Sequence, residues 1–159
     1  MNSNVAENEE KSTWLVVDLG TTSIKGGLFH SNGDLIREAA HPNKPTQTEE
    51  VFHHQEIETW WNGFKAVIHD LMSSEVEVHG IVLTGQMQNL IFLDSKSEPL
   101  HPIVSYSDQR GVDQISSWSA QKSVQEQLLE TGNEQGPTSL LAKLAWFQQH
   151  QPEVLKNTE

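Results

Sequence analysis

Cysteine is absent from this 159-residue sequence, and tyrosine occurs only once. Without cysteine the chain has no disulfide framework and no thiolate zinc site, which agrees with a reducing compartment. No run of about 18 apolar residues occurs, and the first residues lack the apolar segment of an export signal. We therefore predict a cytoplasmic protein that neither spans nor crosses a membrane.

Basic residues are also scarce, because Lys and Arg number 10 against 22 for Asp and Glu, a formal charge of −12. Such a charge repels the phosphate backbone of nucleic acids and anionic membrane surfaces, so we expect neither as a partner. The length and the 35% hydrophobic content suit one domain with its own core, but not two complete domains with a cleft between them. Residues 1–12 are polar and acidic, and we predict a disordered tail there and a folded domain over 13–159.

The folded part opens with a predicted hairpin. Short runs rich in apolar and β-branched residues predict three strands: Trp14–Asp18, Ser23–Phe29 and Leu35–Ala39. The dipeptide Asn32-Gly33 favours a tight turn with positive φ, so the second and third strands should pair antiparallel. Residues 41–50 read as a polar loop interrupted by proline.

Helical spacing follows this loop. One apolar stripe covers about 18 residues and is formed by Ile57, Trp61, Phe64, Ile68 and Leu71. Residues 78–84 and 89–94 predict two strands around a loop, or one strand that ends in it. A surface turn is expected over 94–99, and a further short strand over Ile103–Tyr106.

Two more helices are predicted towards the end of the sequence. The first spans Val112–Glu130 and should turn inward Ile115, Trp118 and Leu128 or Leu129. The second spans Thr138–His150, ends before Pro152, and should bury Leu140, Leu141, Leu144 and Phe147. Strands that alternate with helices in this way predict an α/β fold with a mixed sheet.

The turn after the first strand carries the clearest chemical signal. Gly20, Thr21 and Thr22 offer backbone N–H groups and hydroxyls to one small space, which suits phosphate oxygens. Lys25 adds a positive charge, and Asp18 beside phosphate makes sense if Mg²⁺ lies between them. Taken as types alone, these residues fit a structural hairpin equally well, but their order after an apolar strand and before an Asn-Gly hairpin favours nucleotide phosphate. No P-loop and no G-x-G-x-x-G motif occurs in the sequence.

The sequence resembles the FGGY carbohydrate kinases, which belong to the actin-like ATPase and sugar kinase superfamily. Five segments match that family's motifs in order: VVDLGTTSIKGGLF, QEIETWW, GIVLTGQMQNLIFLD, PIVSYSDQRG and TGNEQGPTSLLAKLAWFQQHQPEVL. The resemblance implies a ribonuclease H-like fold, with this chain forming an incomplete first domain. It also implies that Asp18 supports the metal and the transferring phosphoryl group, while Thr21, Thr22 and Lys25 lie along the phosphates of ATP.

The same resemblance implies sugar contacts. Gly85-Gln86-Met87 is closest to the xylulokinases, where a Met-His pair lies against the ketose; here Met87 is followed by Gln88 and Asn89 in place of His and Gly. Gln86 is the best polar sugar contact, Met87 and Gln88 fall in the sugar pocket, and these departures leave the sugar open. Asp108 and Arg110 could touch sugar hydroxyls, and a structural ion pair explains them equally well.

Two other groups of side chains have a simpler interpretation. His53, His54 and Glu56 could suggest a metal, but adjacent histidines at a helix start point in different directions. The tryptophans Trp60, Trp61, Trp118 and Trp146 are better explained as packing residues than as sugar-stacking platforms.

The resulting hypothesis is ATP-dependent phosphorylation of a sugar hydroxyl, on xylulose or a related ketose or polyol, with Mg²⁺. The alternative is a truncated, non-catalytic sugar- or phosphate-binding domain with a regulatory or interaction role. The family's catalytic base and adenosine pocket lie beyond the matched segments, so we expect no phosphorylation from these 159 residues alone. We also expect exposed apolar surface and self-association, which leaves a homo-oligomer open.

Overall fold

A computed structural model describes residues 12–44, 47–72 and 76–159, with the side chains of 47–49 left out. These residues form seven strands: β1 Thr13–Leu19, β2 Ser23–His30, β3 Leu35–Pro42, β4 Gln47–Glu49, β5 Phe52–Gln55, β6 Val78–Gly85 and β7 Ile103–Val104. They also form five helices: α1 Ile57–Leu71, α2 Val112–Gln121, α3 Val124–Thr131, α4 Leu140–His150 and α5 Pro152–Asn157. The predicted tail lies almost wholly outside the described residues.

The chain divides into two compact units: residues up to 44 together with 58–86, and residues 45–57 together with 87–159. The first unit holds a four-stranded sheet in the order β3-β2-β1-β6. Strand β1 pairs antiparallel with β2 and parallel with β6, and β2 pairs antiparallel with β3. The predicted α/β class with a mixed sheet is confirmed. No helix within the described residues is long and apolar enough to cross a membrane.

The hairpin between β2 and β3 forms where the Asn-Gly dipeptide predicts it. Gly33 has φ of 93°, a left-handed conformation that costs glycine little. The side chain of Asn32 donates to the Asp34 carboxylate at 2.8 Å and accepts from the Asp34 backbone N–H at 3.0 Å. All of these bonds join residues within the turn itself.

Helix α1 covers one face of this sheet. The buried core between them is aliphatic throughout and consists of Leu15, Val17, Ile24, Leu28, Val67 and Leu71. A close approach at Gly26 makes this packing possible, because a Cβ there would lie 2.4 Å from Val67 Cγ1. The predicted stripe is only partly right, since Trp61 is 58% exposed and stacks on Phe64 with ring centroids 5.6 Å apart.

Strand β6 lies at the edge of the described sheet and exposes apolar residues on both of its faces. Ile81, Val82 and Leu83 are all exposed, Leu83 by 58%. A run of branched residues exposed on both faces is typical of a strand that is covered in its complete setting. The predicted exposed apolar surface is therefore present, and self-association stays a prediction.

The second unit contains a small sheet in the order β4-β5-β7, which the sequence analysis missed in part. Strand β4 lies in the predicted loop, and β5 was not predicted at all. Residues 89–94 form only isolated bridges, Leu90 with Val104 and Leu93 with Pro99. The predicted turn over 94–99 is present, because the Asp94 carboxylate accepts from the N–H groups of Lys96 and Glu98.

The predicted long helix over 112–130 is wrong, because the chain breaks into α2 and α3. Ser123 begins α3 as its N-cap and forms a reciprocal capping box with Glu126, which is a strong helix-start signal. The break also changes which residues face inward: Gln127 is buried, whereas Leu128 is exposed and Leu129 is 82% exposed.

The last predicted helix begins two residues late, at Leu140, and of the residues predicted to be buried only Phe147 is fully buried, with Leu144 partly buried. Leu140 and Leu141 are exposed, and the buried residues are Ala142, Lys143 and Phe147. Pro152 follows the end of α4 as predicted, but it also begins α5, where its missing N–H is harmless.

Candidate functional site

Charged residues gather on one face of the first unit's sheet, at the end of β1. Asp18 lies opposite Lys25 in the β1–β2 register and opposite Thr84 in the β1–β6 register. Residues paired across strands share a face of the sheet, and successive residues alternate between faces. The neighbour Val17 points into the aliphatic core, so Asp18, Lys25 and Thr84 lie on the opposite face.

The turn that follows β1 requires glycine at its first position. A Cβ on Gly20 would lie 2.6 Å from the backbone oxygen of Ser23 and 3.5 Å from Asp18 Oδ2. The first distance is too short for any side chain, and the second places the carboxylate beside the turn. Thr22 is exposed and Thr21 is half-buried. A carboxylate oxygen next to hydroxyl and N–H groups is a donor set that suits Mg²⁺ with its water shell and phosphate.

Asn43 supports this turn, and the sequence analysis did not identify it. The residue is fully buried, its side-chain Nδ2 donates to the Gly20 carbonyl at 2.8 Å, and its backbone N–H donates to the Thr22 carbonyl at 2.9 Å. Asn43 lies between two prolines in a polar stretch of the sequence, and no pattern there predicts that its side chain is buried. The contact joins residues 23 positions apart, which no local pattern reveals.

A groove of about 640 Å³ lies within the second unit. Its lining combines the amide and hydroxyl side chains of Gln88, Asn133, Gln135, Thr138 and Ser139 with three leucines, Leu140, Leu141 and Leu144. Such groups can both donate and accept, as the hydroxyls of a sugar require. Of the predicted sugar contacts, Gln88 lines this groove. Four of these polar residues were missed, although their clustering in TGNEQGPTS was visible in the sequence.

Gln88 and Gln135 have features that suit a ligand-contacting role. Gln88 has φ of 59°, an uncommon conformation for a residue with a side chain that often marks a functional site. Gln135 donates through Nε2 to Thr131 Oγ1 at 3.0 Å, while its Oε1 is buried and has no partner among the described residues. A buried acceptor without a partner is costly unless another donor reaches it.

The segment around Gln88 is fixed to the segment that holds Tyr106. The backbone N–H of Tyr106 donates to Asn89 Oδ1 at 2.7 Å. Met87 is exposed and does not line the groove. Gln86 belongs to the first unit, where its backbone N–H donates to the Leu19 carbonyl at 3.3 Å.

Asp108 and Arg110 are buried and bound to each other. Arg110 donates to the Asp108 carboxylate through Nε at 2.8 Å and through Nη2 at 3.0 Å. The backbone N–H groups of His53 and Arg110 complete the carboxylate's partners. The guanidinium also lies against Phe52, Trp146 and Phe147, 4.8 to 5.2 Å from their ring centroids. The structure favours the ion-pair interpretation, and sugar contact by these residues stays a prediction.

Lys143 is a second buried cation in the same unit. Its Nζ donates to the carbonyls of Ser105 at 2.7 Å and Tyr106 at 3.1 Å. Burial lowers the pKa of Lys143 to about 8, while the nearby Asp108 opposes that change. The ammonium therefore fixes the backbone that leads to Tyr106, and the sequence analysis missed this role.

The histidine pair does not form a metal site in the described part of the chain. His53 Nδ1 lies 2.9 Å from Ser107 Oγ, and no group of three or more His, Cys, Asp or Glu side chains in the described residues could hold a metal ion. Trp146 packs against Phe52 with ring centroids 5.7 Å apart, which agrees with its predicted packing role.

Comparison with known proteins begins with the fold. The crystal structure of xylulose kinase from Rhodospirillum rubrum matches with a TM-score of 0.83 and 25% sequence identity, over 92% of this chain and 31% of that one. The fold is therefore that of the sugar kinases in the actin-like ATPase superfamily. The model of the FGGY family of carbohydrate kinases, N-terminal domain, matches residues 13–159. The chain belongs to this family, as the sequence resemblance predicted.

Curated relatives agree with this assignment. The chain is 30% identical over 146 residues to xylulose kinase from Lactococcus lactis, covering 88% of this chain and 28% of the relative. It is 27% identical over 152 residues to gluconokinase from Bacillus subtilis, covering 90% and 28%. The chain spans about 30% of the length of the relatives it matches.

Proposed function

We propose that this chain supplies the phosphate-binding part of an ATP-dependent carbohydrate kinase. The observation that carries the proposal is the constellation after β1: Asp18 and Lys25 share one face of the sheet, next to a turn that only glycine can form. Phosphoryl transfer asks a protein mainly for positioning and for neutralisation of charge. A carboxylate, a lysine and a hydroxyl-bearing turn are suited to that task.

Each residue of the constellation has a distinct proposed role. Thr21 and Thr22 offer hydroxyl and N–H donors to phosphate oxygens, and Lys25 offsets phosphate charge. Asp18 would hold Mg²⁺ through its water shell, as the donor set at the turn allows. When bound, Mg²⁺ neutralises the charge that develops as the phosphoryl group transfers.

We assign sugar recognition to the groove that Gln88 lines. Its amides and hydroxyls suit a polyhydroxy ligand, and Gln135 Oε1 offers a buried acceptor that no described residue satisfies. Among the predicted sugar contacts, Gln88 is supported by its place in the groove lining, while Gln86 and Met87 are proposed only from the family resemblance. Relatives that are xylulose kinases favour a ketose, and the gluconokinase relative keeps a sugar acid as the second candidate.

The base that deprotonates the sugar hydroxyl is proposed to lie outside these 159 residues. Asp108 is the acid in the predicted sugar-contacting segments, but its carboxylate already accepts four hydrogen bonds, three of them from Arg110. These bonds already use the lone pairs of both oxygens, so the carboxylate is not free to contact a sugar hydroxyl. We therefore expect the isolated chain to be inactive.

The test uses the complete gene product with ATP, Mg²⁺ and a panel of xylulose, gluconate and glycerol. We expect sugar-dependent ADP release, and we expect Asp18→Asn to lower kcat by about 10²- to 10⁴-fold. Asp113→Asn is the matched control, because Asp113 is exposed in the first turn of α2, and it should leave kcat unchanged. Unchanged turnover in Asp18→Asn would remove the acid from the mechanism.

A further inference from the structure

Asn43 is unusual in the first unit because it is a fully buried polar residue beside a functional turn. It directly follows β3, whose last residue, Pro42, is paired with Ser23. The bond from its backbone N–H to the Thr22 carbonyl at 2.9 Å continues the β2–β3 pairing by one more residue. Its side chain then reaches the Gly20 carbonyl at 2.8 Å.

These two bonds determine which way the turn's peptide groups point. In a planar trans peptide the C=O of one residue and the N–H of the next point in opposite directions. Because the carbonyls of Gly20 and Thr22 point towards Asn43, the N–H groups of Thr21 and Ser23 point away from it. The turn can therefore direct its donors to one side and its carbonyl oxygens to the other.

We propose that Asn43 is a positioning residue for nucleotide phosphate, which acts by holding the carbonyls of Gly20 and Thr22 away from the phosphate. A carbonyl oxygen turned towards phosphate would repel it, whereas an N–H group attracts it. This inference rests on the proposed kinase function. It adds a residue that touches neither ATP nor sugar.

The side chain's chemistry makes the role specific to asparagine. Nδ2 must donate to the Gly20 carbonyl, and Asn43 Oδ1 is buried without a partner in the described structure. Aspartate has nearly the same shape but cannot donate when it is ionised, so it would place a negative charge against a carbonyl oxygen. Serine keeps a donor on a shorter side chain. The two substitutions therefore separate the shape of the residue from its hydrogen bond.

The experiment measures steady-state kinetics of the complete gene product and of its Asn43→Asp variant. We expect KM for ATP to rise about tenfold, as one lost positioning bond implies, with KM for the sugar unchanged. Val67→Ala is the matched control, because it weakens the core of the same unit without touching the turn. It should lower the melting temperature and leave KM for ATP as it is.

The outcomes distinguish this inference from the proposed function. A wild-type protein that transfers no phosphate to any sugar contradicts the proposed function. An active enzyme whose Asn43→Asp variant keeps its KM for ATP overturns the role of Asn43 alone. If Val67→Ala also raises KM for ATP, the rise seen in Asn43→Asp is explained by lost stability, and the proposed role of Asn43 is overturned.

Two further measurements test the proposal if the Asn43→Asp variant does not fold. Asn43→Ser should recover part of the affinity for ATP, because its hydroxyl can still donate. In the wild-type protein, NMR should show the backbone amides of Thr21 and Ser23 shifting when a non-hydrolysable ATP analogue and Mg²⁺ are added. Unshifted amides in an enzyme that binds the analogue would contradict the proposal.

Discussion

The two units treat their charged residues in opposite ways. In the first unit the core is aliphatic, and Asp18 and Lys25 remain on the face of the sheet away from it. In the second unit Asp108, Arg110 and Lys143 are buried among aromatic rings and backbone carbonyls. A buried ion whose hydrogen bonds are already made within the protein has no capacity left for a ligand, and removing its partner leaves an uncompensated charge. The available charges of the first unit are therefore the better candidates for chemistry.

The largest effect that would test this contrast comes from removing one acid from each unit. Asp108→Ala leaves Arg110 buried and unpaired, so we expect the free energy of unfolding to fall by about 3–5 kcal/mol. Asp18→Ala should change it by less than about 0.5 kcal/mol, as for most residues without buried partners. Urea unfolding of both variants measures the difference.

A double variant controls the first of these results. Asp108→Leu combined with Arg110→Met removes both charges together, and it should recover much of the stability because no unpaired ion remains. If Asp18→Ala and Asp108→Ala lose similar amounts of unfolding free energy, the contrast between an available acid in the first unit and a buried, paired acid in the second is wrong.

The next effect concerns pH and Lys143. Burial lowers the pKa of Lys143 to about 8 from its ordinary value of 10.5, so between these values the unfolded chain binds a proton that the folded chain does not. Stability attributable to Lys143 therefore rises with pH across this window, by on the order of 3 kcal/mol. Below pH 8 the burial of the charged form opposes folding in full.

Lys143→Met isolates this contribution, because the other titrating groups are shared with the wild-type protein. The wild-type protein should gain stability relative to the variant as pH rises from about 8 to about 10.5. Parallel stability curves over that range would mean that the folded pKa is not lowered.

A smaller effect tests how tightly the first unit's aliphatic core is packed. Gly26→Ala would bring a methyl group within 2.4 Å of Val67 and 2.9 Å of Leu71, so we expect a loss of about 1–3 kcal/mol through overpacking. Gly136→Ala is the control, since no atom of the described part of the chain lies within 4 Å of the new methyl group. Thermal unfolding compares them, and equal melting temperatures would refute the close approach.

The smallest effect is expected for exposed hydrogen bonds of the second unit, which should contribute less to stability than the buried pair of Asp108 and Arg110. Ser123→Ala removes the capping box of α3 and should lower stability by about 1 kcal/mol. Ser116→Ala removes only an exposed hydroxyl in α2 that donates to the Val112 carbonyl at 3.3 Å, and it should have little effect. A loss in Ser123→Ala as large as in Asp108→Ala would contradict the comparison.

Most of the first unit could be predicted because its signals are local. The Asn-Gly hairpin, the three strands around it and the amphipathic helix α1 each depend on neighbouring residues or on short periods. The break between α2 and α3 was also local, since Ser123 and Glu126 form a recognisable capping box, but the apolar spacing across it was read as continuous.

The sequence by itself determined the α/β pattern, the family and the residue types of the turn after β1, whose phosphate-binding role stays a proposal. The tertiary structure decided that Asn43 supports that turn, that Lys143 is buried and that Trp61 is exposed. These outcomes depend on partners far apart in the chain, 23 positions for Asn43 and Gly20 and 38 for Lys143 and Ser105. Spacing along the chain reports which residues share a face of an element, but only packing decides what covers that face.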